Sequence, residues 1–218
     1  MRRCQVAIIL AGILALLATP AAAKRIPPRD ECSTDPAFGA FYRQFRAIIA
    51  RRDAPALIAL IPAKGASMDF GGSSRSEFVA LWHLKRGARS ELWPVLSEVL
   101  DMGCARDGRD FISPYYFNHL DNTDPNGDPG DDVVSFGKAT LRSAPSATAP
   151  AVADLHWDQL HTDYSRKGTA TKGWRAVRDD AGRRGFIPEQ QLRGGLDYRA
   201  MFRKVHGHWA FSFFGDGD

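Results

Sequence analysis

Four aromatic residues, Trp157, Tyr164, Trp174 and Tyr198, stand among polar neighbours in the C-terminal half of the chain. Aromatic faces grip peptide backbones and sugars with little entropy loss, so this set is the candidate lining of a binding groove. Catalytic groupings are thinner. Cys104 lies in the turn-like stretch Asp101-Met102-Gly103-Cys104-Ala105, not on the helix that a cysteine–histidine hydrolase uses for its nucleophile. His156 and His161 have Asp154, Asp158 and Asp163 nearby, a zinc-binding set of residue types, but strand alternation puts the two histidines on opposite faces. His206 and His208 share a side but straddle a turn and lack an evident third ligand. Asp69 and Glu77 are carboxylates of the type that works in acid–base pairs, at a spacing that chance explains equally well. Asn122, Asp124 and Asn126 alternate ahead of Gly127 as at the start of a calcium loop, yet the twelfth position is Val133 where a bidentate glutamate is needed. No catalytic residue, metal or cofactor is assigned.

The compartment narrows the chemistry further. Arg2 and Arg3 precede an almost wholly apolar run, Val6 to Ala18, and Ala21-Ala22-Ala23 supplies small residues at a cleavage site, so residues 1–23 read as a secretory signal peptide. The run is shorter than the roughly 18 residues that span a hydrocarbon core, and no later run approaches that length. The mature chain is thus expected in the periplasm or secreted, with no transmembrane segment. Losing Arg2 and Arg3 from 29 basic residues leaves 27 against 25 acidic ones. That near-neutral balance excludes nucleic acid as the expected partner. A basic cluster (Arg166, Lys167, Lys172, Arg175, Arg178, Arg183, Arg184) reads as a solvated face, with contact to an anionic envelope polymer as the functional alternative. Cys4 leaves with the signal, and the remaining Cys32 and Cys104 are free to pair in an oxidising compartment.

These residues need elements to position them. Residues 24–36, with Pro27, Pro28 and Pro36, read as a flexible leader. Residues 37–120 read as mainly helical: Phe38, Phe41, Phe45, Ile48 and Ile49 recur at helical steps, and Leu92, Val95, Leu96, Val99 and Leu100 make a second stripe. Residues 121–132, DNTDPNGDPGDD, form an acidic linker. Short strands are then expected at 133–136, 139–142, 151–155, 159–162, 174–178 and 185–188, too closely spaced for βαβ units and suited to a small barrel over 133–193. Residues 198–205 and 208–214, joined at His206-Gly207, form a C-terminal β-hairpin within 194–218. The fold class is α+β.

The segment 131–193 resembles a bacterial SH3 domain of the exported type. The resemblance is carried by Ala139-Thr140-Leu141-Arg142-Ser143-Ala144-Pro145, by Val152-Ala153-Asp154-Leu155, and by Gly173-Trp174-Arg175-Ala176-Val177 with Gly182 and Gly185-Phe186-Ile187-Pro188. Thr140 and Phe186 depart from the family's usual asparagine and tryptophan. The flanking regions resemble an NTF2-like α+β fold, through Phe41 to Leu60 and Val205 to Phe211, which would make one unit from both ends of the chain. The SH3 resemblance implies a non-catalytic binding or scaffold role, with peptidoglycan or an envelope protein as partner. The alternative is an enzyme or small-ligand binder with an NTF2-like pocket lined by Phe70, Trp82 and Tyr115.

Overall fold

A computed structural model describes residues 23–63, 67–69, 71–121, 128, 130–169 and 171–217, with backbone only at 167–169. The expected signal peptide, Phe70 and the run Asn122 to Gly127 lie outside the described residues, Ala23 apart.

The helices begin where short polar side chains replace missing backbone partners. Asp35 accepts from the Phe38 amide at 2.9 Å, and Pro36 opens α1 (Pro36–Arg51). Phe38, Phe45, Ile48 and Ile49 are buried along one stripe, while Arg43, Arg46 and Arg51 are exposed. Asp53 caps α2 (Ala54–Ala59) in the same way. Ser74 and Glu77 form a capping box at α3 (Arg75–Leu81). In α4 (Leu92–Asp101), Pro94 sits in the first turn, where its missing N–H costs nothing.

Against these helices lies a four-stranded antiparallel sheet drawn from distant parts of the chain. Its order is β1 (Ala105–Asp107), β2 (Asp110–Ser113), β10 (Arg199–Val205) and β11 (His208–Gly215). Strand β10 pairs with β2 through Ala200↔Ser113 and Phe202↔Phe111, and with β11 through a hairpin whose turn residues His206 and Gly207 both have positive φ. The free edge of β11 is covered, since Phe211 donates to the Leu60 carbonyl and Phe214 to that of Met68. One core therefore joins residues from 26 to 116 with residues from 200 to 214. Its centre is aromatic: Phe38 stacks on Phe111 at 3.9 Å, meets Trp209 edge-on at 4.7 Å, and lies 5.6 Å from Phe202.

Between β2 and β10 the chain makes a second, seven-stranded antiparallel sheet, ordered β5-β4-β8-β7-β6-β3-β9. Its members are β3 (Asp132–Ser135), β4 (Lys138–Arg142), β5 (Ala151–His156), β6 (Gln159–Thr162), β7 (Trp174–Arg178), β8 (Arg184–Pro188) and β9 (Leu192–Gly194). Six of these follow the expected strands closely. The sheet is open, with β5 and β9 at its edges, so no closed barrel is formed. It is strongly curled nonetheless. Val133, Leu141, Leu155, Leu160, Val177, Ile187 and Leu192, one from each strand, are buried in a cluster containing only this sheet's residues. A flat sheet could not cover its own inner face. Gly182, at φ 78°, makes the β7–β8 turn. Gly185 has another role: a Cβ there would stand 2.5 Å from the Arg142 carbonyl, where β4 crosses β8.

Residues 24–36, expected as a flexible leader, are tied to both sheets. Ile26 is buried and donates its amide to the Trp157 carbonyl at 2.7 Å, and the Gln159 amide donates to Lys24. Further on, Cys104 donates to Arg29 and Glu31 to Cys104. Prolines removed helix propensity here without removing extended pairing. Cys32 and Cys104 stand at disulfide distance, their Cα atoms 5.7 Å apart and both side chains buried. No helix among the described residues is long and apolar enough to cross a membrane.

Candidate functional site

Strand alternation builds the first half of the site. In β4, Ala139 and Leu141 point into the curled sheet's core, which turns Lys138, Thr140 and Arg142 to the opposite face. These three line a cleft of about 700 Å³ together with Asp154 and His156 of β5 and Arg25 from the leader. Arg142 is held by its bond to the Ala149 carbonyl at 2.7 Å, and Arg25 lies 3.6 Å from Asp158. With Arg25, Lys138 and Arg142 against Asp154, this half favours anionic groups.

The second half lies across Trp174. That residue opens β7 opposite Pro188 and lines both the large cleft and a second one of about 350 Å³. In the second cleft the walls include Tyr164, Leu196 and Arg175, with Asp128, Asp131, Asp163 and Glu189 supplying negative charge. The Tyr164 hydroxyl donates to Asp131, and this bond pushes the phenol up to about 12. Tyr164 is 52% exposed and Leu196 38%, so both offer apolar surface to solvent.

Of the four expected groove aromatics, Tyr164 and Trp174 share a cleft, Trp157 packs on the larger core, and Tyr198 packs on that core while also lining a separate cleft with Arg193 and Asp197. Trp157 meets Phe136 edge-on at 5.4 Å, and both pack on the core between helices and four-stranded sheet. Tyr198 stacks on Phe214 at 5.2 Å beside Trp82, and burial pushes its phenol up. The alternative pocket is not assembled by its described members. Trp82 packs on Tyr198 and Phe214, whereas Tyr115 stacks on His119 at 4.0 Å. The space between α1 and the sheet is filled by rings.

The reactive residue types are occupied structurally. Cys104 faces Cys32. His161 is buried with Nδ1 2.5 Å from Asp132 and Nε2 2.8 Å from Asp180, whereas His156 is exposed in the large cleft; the two are separated by a break between β5 and β6 at Trp157, not by alternation along one strand. His206 and His208 are exposed at the hairpin turn. Asp69 accepts from the Ser73 hydroxyl and Glu77 from that of Ser74, and these bonds hold both carboxyls below their ordinary range. Each carboxylate is a local turn or cap element. No group of three or more potential ligands among the described residues could hold a metal. Three members of the basic cluster have partners: Arg183 pairs with Asp179 at 2.5 Å, Arg184 lies 3.7 Å from Asp163, and Arg166 covers the Phe186 ring.

Arg25, Lys138, Arg142, Asp131, Asp163 and Glu189 carry no groove assignment on sequence alone. The alternation Lys138-x-Thr140-x-Arg142 was the available signal for the basic half, and the Asp163-Tyr164 adjacency for the acidic half. No protein-family model and no curated protein matches the chain, so the clefts themselves carry the functional argument.

Proposed function

We propose that this chain is an exported, non-catalytic binding protein whose SH3-like module holds an extended, charged peptide of the cell wall across Trp174. The observation that carries this reading is the wall shared by two clefts, one basic and one acidic, with Trp174 between them. A groove with opposite charge at its two ends suits a ligand bearing carboxylate and amine groups along an extended backbone. Cell-wall stem peptides have that chemistry. Seven short antiparallel strands curled around a private core, and the residues from Ala139 to Pro188 that resemble exported SH3 domains, support the same reading. The aromatic filling of the helical unit gives no support to an enzyme pocket there.

The test is retention on purified, protein-free cell wall. The mature protein is expected to sediment with the wall, and Tyr164→Ala and Trp174→Ala to reduce retention. Tyr164 is exposed enough for its variant to keep the fold, whereas Trp157→Ala acts on the other core and serves as a control. No retention of the unmodified protein would defeat the proposal.

A further inference from the structure

The acidic half of the groove has a more specific chemistry than negative charge. Its aromatic and aliphatic wall comprises Tyr164, Trp174 and Leu196, each presenting carbon surface to the cleft. Four carboxylates, Asp128, Asp131, Asp163 and Glu189, face one guanidinium, Arg175, whose Nη1 is committed to the Gly130 carbonyl at 3.1 Å. Asp163 adds an independent observation. Its side chain is only 4% exposed, and Oδ1 accepts from the Ser165 amide and hydroxyl. Oδ2 has no hydrogen-bond partner, with Arg184 Nη1 standing 3.7 Å away. A buried carboxylate oxygen left without a donor costs free energy that a ligand N–H could recover.

Resting on the groove reading above, we infer that this cleft is a subsite for the side-chain ammonium of a lysine-like residue, its methylene stem lying against Tyr164, Trp174 and Leu196. The ligand class follows from the lining and its charge together. A guanidinium brings a planar fork, whereas an ammonium on a flexible apolar stem matches a cleft with aromatic and aliphatic sides and carboxylates around it. Metal binding is the competing use of carboxylates, and no metal-holding group of three is present among the described residues. The basic half across Trp174 would then receive the carboxylates of the same peptide, which sets the ligand's direction along the groove.

The experiment uses two synthetic tripeptides, alanyl-γ-glutamyl-lysine and its Nε-acetyl derivative, titrated into the mature protein and followed by NMR at Trp174 and Tyr164. The free amine is expected to bind about tenfold more tightly, the scale of one charge-assisted hydrogen bond. In a Glu189→Gln, Asp163→Asn variant that ratio is expected to fall to near one, with resonances away from the cleft and the Ser165 turn unchanged. Equal binding of the two peptides by the unmodified protein, with shifts at both residues, would overturn the subsite and leave the groove standing. No shift with either peptide would overturn both.

Discussion

Reducing the Cys32–Cys104 pair is expected to destabilise this protein through its unfolded state. The two positions are 72 residues apart, and the loop between them contains all four α-helices. Closing such a loop removes about 15 cal/mol/K of unfolded-chain entropy, or about 4 kcal/mol at 25 °C. The folded state has little to lose in exchange. Cys104 remains bonded to Arg29 and Glu31 through backbone groups, and neither needs the sulfur link. Guanidinium denaturation with and without reductant measures the difference. With a slope of about 5 kcal/mol/M for a chain of this size, the midpoint should fall by roughly 0.8 M. The slope itself should rise, because a reduced unfolded chain exposes more surface. A Cys32→Ala, Cys104→Ala variant should fall slightly further, since both side chains are buried and alanine leaves small voids. A loss below about 1 kcal/mol on reduction would refute the loop-entropy argument for this pair.

Other parts of the molecule yield separate expectations. Burial pushes the Asp197 carboxyl above its ordinary value, against the Gly194 amide and Arg193. The folded state then holds a proton that the unfolded state has released, so stability falls as pH rises from an ordinary aspartate's range through the raised value. Asp197→Asn should therefore gain on the unmodified protein between pH 3 and pH 7 in urea denaturation, and a constant difference would contradict the assignment. Tyr164 should titrate near 12, and Asp131→Asn should bring it down toward the ordinary tyrosine value, as followed by NMR of labelled tyrosine. An unchanged titration would show that Asp131 is not the cause. His161→Ala removes the link between Asp132 and Asp180 and should cost about 3 kcal/mol in chemical denaturation, most of it from Asp132, because water reaches Asp180.

The strand pattern of residues 132–188 was legible because punctuation and alternation coincide there. Ser143-Ala144-Pro145 and Asp179-Asp180-Ala181-Gly182 mark turns, and Ala139 and Leu141 alternate with Lys138, Thr140 and Arg142. The hairpin at His206-Gly207 was equally clear. Strands β1 and β2 were not: at three and four residues they are too short to show a period, and β2 has consecutive buried residues Phe111, Ile112 and Ser113. The leader misled because its prolines suggested mobility while Ile26 anchors it. Trp157 and Tyr198 do not line the two clefts that Trp174 borders. Nothing local distinguishes Trp157, which leans out of the second sheet onto the first unit's core, from Trp174, which borders two clefts. Asp128 and Asp131 were hidden in a run that reads as an acidic linker. Asp131 receives Tyr164 and Asp132 receives His161 only because β3 and β6 pair at Asp132↔His161.

The neighbouring position of β2 and β10, with Ser113 opposite Ala200, has a consequence for the order in which this protein matures. As synthesis proceeds from the N-terminus, the seven-stranded unit, ending at Gly194, is available in full while the helices made before it still lack β10 and β11. Phe38, Phe45 and Phe111 must wait for Phe202 and Phe211 before their rings are enclosed. The earliest-made segment is thus the last to be finished, and a nascent chain halted before residue 199 would carry a completed module on an unclosed, ring-studded base. Such a species invites chaperone capture.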